Sequence, residues 1–182
     1  MKNFIFLISL ICSLNGFSQW GANINFVSYT IKAEMDAGGA SISSSEDYAG
    51  FSFGLDYGFE IKKLMFVAGL SADFIDFEGD SETIITPSVL LRYPVSNAID
   101  LKGGFALPTW DVDDDDVIKA SLLHLPLGFE FSFSEKISLI GQYSIALGNR
   151  FNGDESGGDE FFSSSEFKYT DNNLRFGIHF SF

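Results

Sequence analysis

The chain has 182 residues, with 11 lysines and arginines against 25 aspartates and glutamates, and its formal net charge is −14. An acidic balance of this size argues against nucleic acid as a partner, because a nucleic-acid surface needs clustered positive charge. The length fits one folded domain, and no stretch beyond residue 18 is apolar for long enough to form a membrane-spanning helix.

The first segment, residues 1–18, predicts a secretory signal peptide. Lys2 supplies the positive start, an apolar run follows from Phe4 to Leu14, and small residues end the segment at Ser18. The run is too short for a spanning helix, which needs about 20 residues. The predicted mature domain therefore covers residues 19–182.

Eight segments follow in which bulky apolar residues alternate with small or polar ones. Such period-two alternation predicts β-strands with one apolar face and one polar face. It is clearest where Phe51, Phe53 and Leu55 alternate with Ser52 and Gly54. The predicted strands are Trp20–Lys32, Tyr48–Ile61, Leu64–Phe74, Thr83–Val95, Ala98–Leu107, Ile118–Phe133, Ile137–Leu147 and Asp171–Phe182.

The connections between these strands alternate in length. The short ones are 62–63, 94–97 and 134–136, and the long ones are 33–47, 75–82, 108–117 and 148–170. Short turns at one end and long loops at the other are typical of outer-membrane barrels. The sequence therefore predicts an all-β fold, an eight-stranded antiparallel transmembrane β-barrel with an up-and-down meander. Both termini are then expected on the periplasmic side and the long loops outside.

The main structural alternative is a secreted, soluble eight-stranded barrel that holds a ligand. Its bulky face would have to point inward, yet an eight-stranded interior is only just wide enough for its side chains. Nearly every predicted strand carries several Phe, Leu, Ile or Tyr residues on one face, which is more volume than such an interior holds. The bulky face is therefore expected to point outward, toward lipid.

The last strand supports closure of the barrel. Leu174, Phe176, Ile178, Phe180 and Phe182 alternate with small or polar residues up to the final position. An aromatic strand with a free edge would promote aggregation. Closing the sheet removes that edge, and the membrane solvates the apolar face.

Four features carry a resemblance to a known family. They are Phe17-Ser18-Gln19 at the signal end, Pro87-Ser-Val-Leu-Leu-Arg-Tyr93, Leu125-Pro-Leu-Gly-Phe-Glu-Phe131 and the terminal Phe182. With them, residues 20–182 resemble the small outer-membrane β-barrel proteins related to OmpX and to the transmembrane domain of OmpA, often labelled "porin family". The resemblance implies that the barrel-assembly machinery is a partner and reads Phe176, Phe180 and Phe182. It implies an architecture and no particular activity.

Charges of both signs fall on the predicted lumen face. They are Asp56, Glu60, Arg92, Asp100, Lys102, Glu130 and Arg175. Charges inside a membrane are costly and normally paired, so we expect Glu130 to pair with Arg92 or Arg175, and Lys102 to lie near Asp56 or Asp100. The network is either a structural plug or an ion path with a gate. The narrow interior of eight strands favours the plug.

The predicted loops are acidic, and the densest cluster lies in the third long loop. It consists of Asp111, Asp113, Asp114, Asp115 and Asp116. Oxygen-rich clusters suit Ca²⁺ or Mg²⁺, but the turn glycine and distal glutamate of a calcium loop are missing. The cluster is either a solvated loop or a weak cation site that bridges to lipopolysaccharide. We expect no other cofactor.

Both histidines, His124 and His179, fall on the predicted lumen face, and no serine is obviously placed beside either for nucleophilic catalysis. We therefore expect no enzymatic activity. The sequence favours a structural or interaction barrel in the outer membrane of a Gram-negative bacterium, in contact with membrane lipid and lipopolysaccharide. The alternatives are an accessory subunit that docks on another outer-membrane protein, and a narrow channel for small solutes.

Overall fold

The computed structural model describes residues 18–37, 40–77, 80–110, 122–148, 150–152 and 166–182. Most of the predicted signal peptide and the whole predicted cation site, Asp111 and Asp113 to Asp116, lie outside the described residues. Across these described ranges the regular structure is entirely β, and no helix is long and apolar enough to cross a membrane. The strands are β1 Ser18–Ala37, β2 Ala40–Ile61, β3 Leu64–Phe77, β4 Asp80–Pro94, β5 Ile99–Ala106, β6 Thr109–Trp110, β7 Leu123–Ser132, β8 Ile137–Leu147, β9 Arg150–Asn152 and β10 Glu166–Ser181.

The long strands close into a barrel. Each pairs antiparallel with its neighbours in chain order, and β10 pairs with β1 from Gly21↔Ser181 to Asp36↔Glu166. The short β6 extends the line of β5 along β4, and the short β9 extends the line of β8 along β10. The predicted eight-stranded antiparallel meander is therefore confirmed, and its closed ladder pairs the edge strands.

The two ends of the barrel differ. The turn end carries the last residue, Phe182, and three short connections at residues 62–63, 95–98 and 133–136. Lys62 has a φ of 61° there, which is the left-handed conformation that a two-residue hairpin turn requires. The loop end carries the other connections. The predicted alternation of short and long connections holds only in part, because β1 and β2, and likewise β3 and β4, are separated by only two residues at the loop end.

The strands at the loop end are longer than predicted. Residues 33–47 were expected to form a loop, but β1 and β2 continue through them in one unbroken register up to Ala37↔Ala40. Residues 75–82 were also expected to form a loop, but β3 and β4 pair up to Phe77↔Asp80. The loop prediction rested on polar composition. Outside the apolar zone a strand needs no apolar face, because backbone hydrogen bonds to its neighbour sustain the ladder.

Two further boundaries differ from the prediction. The last strand begins at Glu166 instead of Asp171, for the same reason, because its polar start pairs with β1. The sixth predicted strand was expected from Ile118, whereas β7 begins at Leu123 and Leu122 is not in a strand.

Large apolar side chains cover the outer face of the barrel and form a belt. Phe51 is 61% exposed and Leu55 is 64% exposed, although both lie in the middle of a regular sheet. Other members of this apolar belt are Trp20, Ile24, Phe26, Phe53, Leu70, Phe74, Val89, Leu91, Leu101, Phe105, Leu127, Phe129, Tyr143, Ile145, Leu174, Phe176 and Ile178. An exposed apolar surface of this extent needs lipid as its solvent. The alternative barrel with its bulk inside is therefore wrong.

The inner face is mostly small and polar, with one apolar exception. Near the loop end, Val27, Tyr29, Ile75 and Ile84 are fully buried against each other, and Tyr48 packs on them. We call these five residues the inner apolar cluster. They make part of the inner face apolar on the side of the long loops.

Candidate functional site

Charged side chains from several strands meet inside the barrel near its turn end. We call this group the turn-end cluster; it consists of Asp56, Arg92, Asp100, Lys102, Glu130 and His179. Each lies on the inward-facing side of its strand, so the strand period aims them all at the lumen. Register then sets their heights, since Arg92 is opposite Lys102 and Asp100 is opposite Glu130.

Glu130 is the centre of the turn-end cluster. It is 1% exposed and lies within ion-pair distance of three cationic or ionisable partners. Arg92 Nη2 lies 3.2 Å from its Oε1, Lys102 Nζ donates to its Oε2 over 2.9 Å, and His179 Nδ1 lies 3.0 Å from its Oε1. A buried carboxylate is tolerated only when it is paired and hydrogen-bonded in this way.

His179 links this centre to the opposite wall. Its Nε2 lies 3.2 Å from Asp56 Oδ2, while its Nδ1 faces Glu130. An imidazole donates from both nitrogens only when both carry a proton, so this geometry matches the imidazolium form. Asn23 Nδ2 also donates to Asp56 over 3.4 Å. The contacts therefore cross the lumen from β7 through β10 to β2.

A second group, the loop-end cluster, lies nearer the long loops and is organised by Arg175. It consists of Tyr29, Ser52, Ser71, Asp73, Asn173 and Arg175. The guanidinium of Arg175 donates to both oxygens of Asp73, over 2.8 Å to Oδ1 and 2.6 Å to Oδ2. Tyr29 donates to the same carboxylate over 2.5 Å. A two-pronged arginine–carboxylate pair is among the strongest side-chain contacts, because both N–H bonds align with both oxygens.

The remaining donors of Arg175 are also occupied. Its Nη1 donates to Ser52 over 3.0 Å and to Ser71 over 3.1 Å, and its Nε donates to Asn173 over 3.3 Å. These partners come from β2, β3 and β10, so one side chain joins both sides of the lumen. The result is a cross-barrel brace that takes the place of a hydrophobic core.

A small polar cavity separates the two clusters. Its volume is about 70 Å³, and Asn25, Thr86, Lys102 and Arg175 are among its lining residues. Asn25 Oδ1 and Thr86 Oγ1 are buried without a protein partner. A water needs roughly 10–15 Å³ of such space, so the cavity has room for several waters that would satisfy these atoms.

The turn end opens into a wider recess. It has a volume of about 350 Å³, and Gln19, Arg92, Asn97 and Glu130 are among its lining residues. Arg92 and Glu130 of the turn-end cluster therefore face this recess. Solvent therefore reaches the cluster from the turn end.

Comparison with solved structures identifies the architecture. The outer membrane protein OprG from Pseudomonas aeruginosa superposes with a TM-score of 0.52 over 91% of this chain and 96% of that chain, at 14% identity. The outer membrane protein AlkL in lipid bilayers also gives 0.52, over 91% and 90% of the two chains, at 13% identity. The chain has the fold of the small outer-membrane β-barrels. No protein-family model matches the sequence, and a search of curated proteins also finds no match.

Apart from Glu60, the predicted charges face inward, and their partners match the expectation only in part. Glu130 contacts Arg92, one of its two expected partners, and Arg175 pairs with Asp73 instead of Glu130. Lys102 was expected near Asp56 or Asp100, and the structure pairs it with Glu130. The reason is register: Lys102 is opposite Gly128, so its side chain reaches past a residue without a side chain to the adjacent Glu130.

One predicted charge lies outside both clusters, and one carboxylate at the centre of a cluster was missed. Glu60 is exposed at the turn end, and none of the described contacts brings it to the turn-end cluster. Asp73 is fully buried at the centre of the loop-end cluster but was absent from the predicted set. The alternation of faces in β3 could have identified Asp73. Phe74 faces outward, so the adjacent Asp73 must face inward.

The second histidine of the barrel is also inside. His124 is fully buried, with Nε2 3.4 Å from Asp171 Oδ2 and Nδ1 3.4 Å from Asn173 Nδ2. Within the residues that the structure describes, no three His, Cys, Asp or Glu side chains are arranged to hold a metal ion.

The terminal strand of the barrel presents its aromatic residues outward. Phe176 is 52% exposed and Phe182 is 77% exposed. The N–H of Phe182 donates to the carbonyl of Trp20 over 2.9 Å, so backbone pairing between first and last strands reaches the final residue. The predicted role of Phe176, Phe180 and Phe182 in assembly stays a prediction.

Proposed function

We propose that this protein is a structural and interaction barrel of the outer membrane, with a closed lumen and no catalytic role. The observation that carries the proposal is the double crossing of the lumen, by Arg175–Asp73 at one level and by Glu130 with its partners at another. In a wide pore these charged side chains would lie along the barrel wall and leave the centre open. Here they meet each other across the centre.

The cost of separating buried ion pairs supports a closed lumen as the resting state. To open a path, solute would have to separate ion pairs that are almost fully buried. Removing one partner from a buried pair leaves an uncompensated charge, at a cost of about 3–5 kcal/mol. The inner apolar cluster adds a second obstacle to solute passage, because its side chains offer water and ions no hydrogen bonds or charge partners.

The proposal includes the location and partners that the sequence suggests. The apolar belt supports insertion in the outer membrane with the turn end in the periplasm, since short turns lie on that side in outer-membrane barrels. Lipid and lipopolysaccharide would then be the immediate surroundings, and the barrel-assembly machinery would insert the chain. Docking on a larger outer-membrane complex remains a prediction, which co-purification in mild detergent would test.

A narrow channel is the second candidate function, and the two internal spaces favour it. The cavity of about 70 Å³ and the recess of about 350 Å³ lie on either side of the turn-end cluster. Rearrangement of Glu130 and its partners would join them, and only the loop-end obstacles would then remain.

Recording from the folded barrel in a planar lipid bilayer separates the two candidates. The closed barrel predicts no discrete current steps in the native protein, and none in the control variant Glu60→Gln. A channel predicts steps that Glu130→Ala alters in size or open time, because Glu130 would then line the path. Steps of this kind in native protein would overturn the closed-barrel proposal.

A further inference from the structure

The loop end leaves one strand edge of the barrel unpaired. The β1–β2 ladder continues in one register beyond Gly50 to Ala40, but β3 pairs with β2 only as far as Gly50↔Ile75. Among the described residues, Ser41–Asp47 therefore has β1 on one side and no strand on the other. We call Ser41–Asp47 the β2 edge.

The β2 edge lacks the features that natural proteins use to protect a free edge. Its sequence, Ser-Ile-Ser-Ser-Ser-Glu-Asp, contains no proline and no lysine, and its register with β1 contains no bulge. All seven side chains are exposed, including Ile42 at 62%. Proline, lysine, bulges or cover by another element normally blunt such edges. The edge is regular, and no described residue covers it, so it is a ready template for another strand.

Comparison with the opposite margin of the same extension strengthens the point. There, β10 runs beside β1 up to Glu166, and β9 pairs with β10 from Tyr169 to Phe167. Within the described ranges, the sheet thus continues on that side and stops at the β2 edge. The unpaired backbone groups of the β2 edge lie above the apolar belt, where an aqueous partner can reach them.

We propose that the β2 edge binds an extended, basic segment of another protein by strand addition. Strand addition takes its affinity from main-chain hydrogen bonds and its selectivity from alternate side chains. The charges on this edge are Glu46 and Asp47, which are both exposed and point to opposite faces because they are adjacent in a strand. No lysine or arginine occurs between Lys32 and Lys62. A cation opposite either acid is favourable, whereas an acid there is repelled.

A second copy in the same membrane fits this edge less well than a free peptide segment does. Two barrels with the same orientation run their β2 strands in the same direction, from the loop end to the turn end. An antiparallel ladder between the two identical edges needs opposite directions, so two copies could pair only in a parallel ladder, which is slightly less stable. A free peptide segment carries no such restriction. The inference rests on the membrane orientation in the proposed function, but the experiment below measures peptide binding at the β2 edge directly.

The test uses the full folded barrel in detergent micelles and a synthetic peptide of alternating Thr and Val with two lysines at its centre. We expect saturable binding, with amide chemical-shift changes confined to Ser41–Asp47 and neighbouring β1. A peptide of the same sequence that is N-methylated at every second residue should lose at least tenfold in affinity, because it cannot complete the ladder. If the N-methylated peptide binds equally well, contact is by charge alone and the proposal is overturned.

Charge variants supply the second arm. Glu46→Lys combined with Asp47→Lys should weaken binding of the lysine peptide about tenfold, since two opposite-charge pairs become like-charge pairs. Glu60→Lys, on the same strand at the turn end, should leave the affinity unchanged. Both substituted side chains are exposed, so we expect the double variant to fold. A shift in gel migration on boiling, as in the native protein, will check this.

Three further outcomes contradict the inference: no peptide binding, equal loss in Glu60→Lys, or edge-dependent self-association of the barrel without peptide. None of these depends on ion conduction. Current steps in a planar bilayer would overturn the closed lumen and leave the β2 edge untouched, so the two failures are distinguishable.

Discussion

Arg175 and Asp73 form a two-pronged ion pair across the lumen, although they stand 102 residues apart in the chain. They lie on β10 and β3, with β1 and β2 between them in the sheet. No local sequence motif predicts such a pair. It exists because barrel closure brings inward-facing residues of distant strands to one height, and it stabilises the closed state across the middle of the barrel.

The first prediction concerns this brace. Asp73→Asn should lower the free energy of unfolding by about 3–5 kcal/mol, because Arg175 would remain buried without a counter-charge. Urea titration of the barrel in detergent, followed by gel migration or tryptophan fluorescence, measures the change. Glu60→Gln is the matched control, because it removes an exposed carboxylate and should cost less than about 0.5 kcal/mol. Equal stability of Asp73→Asn and the native protein would contradict the brace.

The second prediction ranks two acids of the turn-end cluster. Glu130→Gln should destabilise the barrel more than Asp100→Asn, because Glu130 has three partners and a fully buried side chain, whereas the side chain of Asp100 is 22% exposed. We expect about 3–5 kcal/mol for Glu130→Gln and about 1 kcal/mol or less for Asp100→Asn. The same urea titration checks the order, and the reverse order would show that Glu130 is not the centre.

The third prediction compares two adjacent glycines of β5. A Cβ on Gly104 would lie 2.2 Å from the carbonyl oxygen of Val89, which belongs to the neighbouring backbone and cannot move aside. A Cβ on Gly103 would meet the Leu127 side chain at 3.4 Å and the Pro126 carbonyl oxygen at 3.8 Å, which are both tolerable distances. Gly104→Ala should therefore destabilise by about 1–3 kcal/mol, and Gly103→Ala should be nearly neutral. Thermal unfolding of both variants tests the register of β4 and β5, and equal effects would contradict it.

The fourth prediction separates assembly from stability. Phe182→Ser should reduce the amount of folded barrel in the outer membrane of cells but leave refolding into detergent micelles unchanged. The side chain of Phe182 is 77% exposed, and its backbone hydrogen bond to Trp20 survives the substitution. Phe133→Ser is the control, because Phe133 is 65% exposed at the same end without belonging to the terminal strand. If both variants assemble equally well in cells, the terminal residue is not a signal.

The sequence predicts the strands and their faces because period-two alternation is local. Phe51, Phe53 and Leu55 point outward for the same reason that Ser52 points inward, and no tertiary information is needed. At the loop end, residue composition predicts the wrong structure. The serine-rich 41–45 segment reads as a loop by residue type, yet it forms a strand because β1 lies beside it in register.

The partners inside the lumen are harder to predict because they depend on cross-barrel register. Alternation places Arg175 and Glu130 on the same face, so pairing the two is a reasonable expectation. Their heights differ, however, and Arg175 meets Asp73 while His179 meets Glu130. Parity alone would have placed Asp73 in the lumen, but the height of each charge follows only from the pairing of all strands.

The most direct test of the whole account is extraction of the native protein from the outer-membrane fraction, followed by gel migration in SDS with and without boiling. The account predicts a membrane-extracted band that migrates differently after boiling, because a closed barrel resists SDS until heat opens its ladder. A protein recovered from the periplasm or the medium, with the same migration before and after boiling, would contradict the membrane barrel.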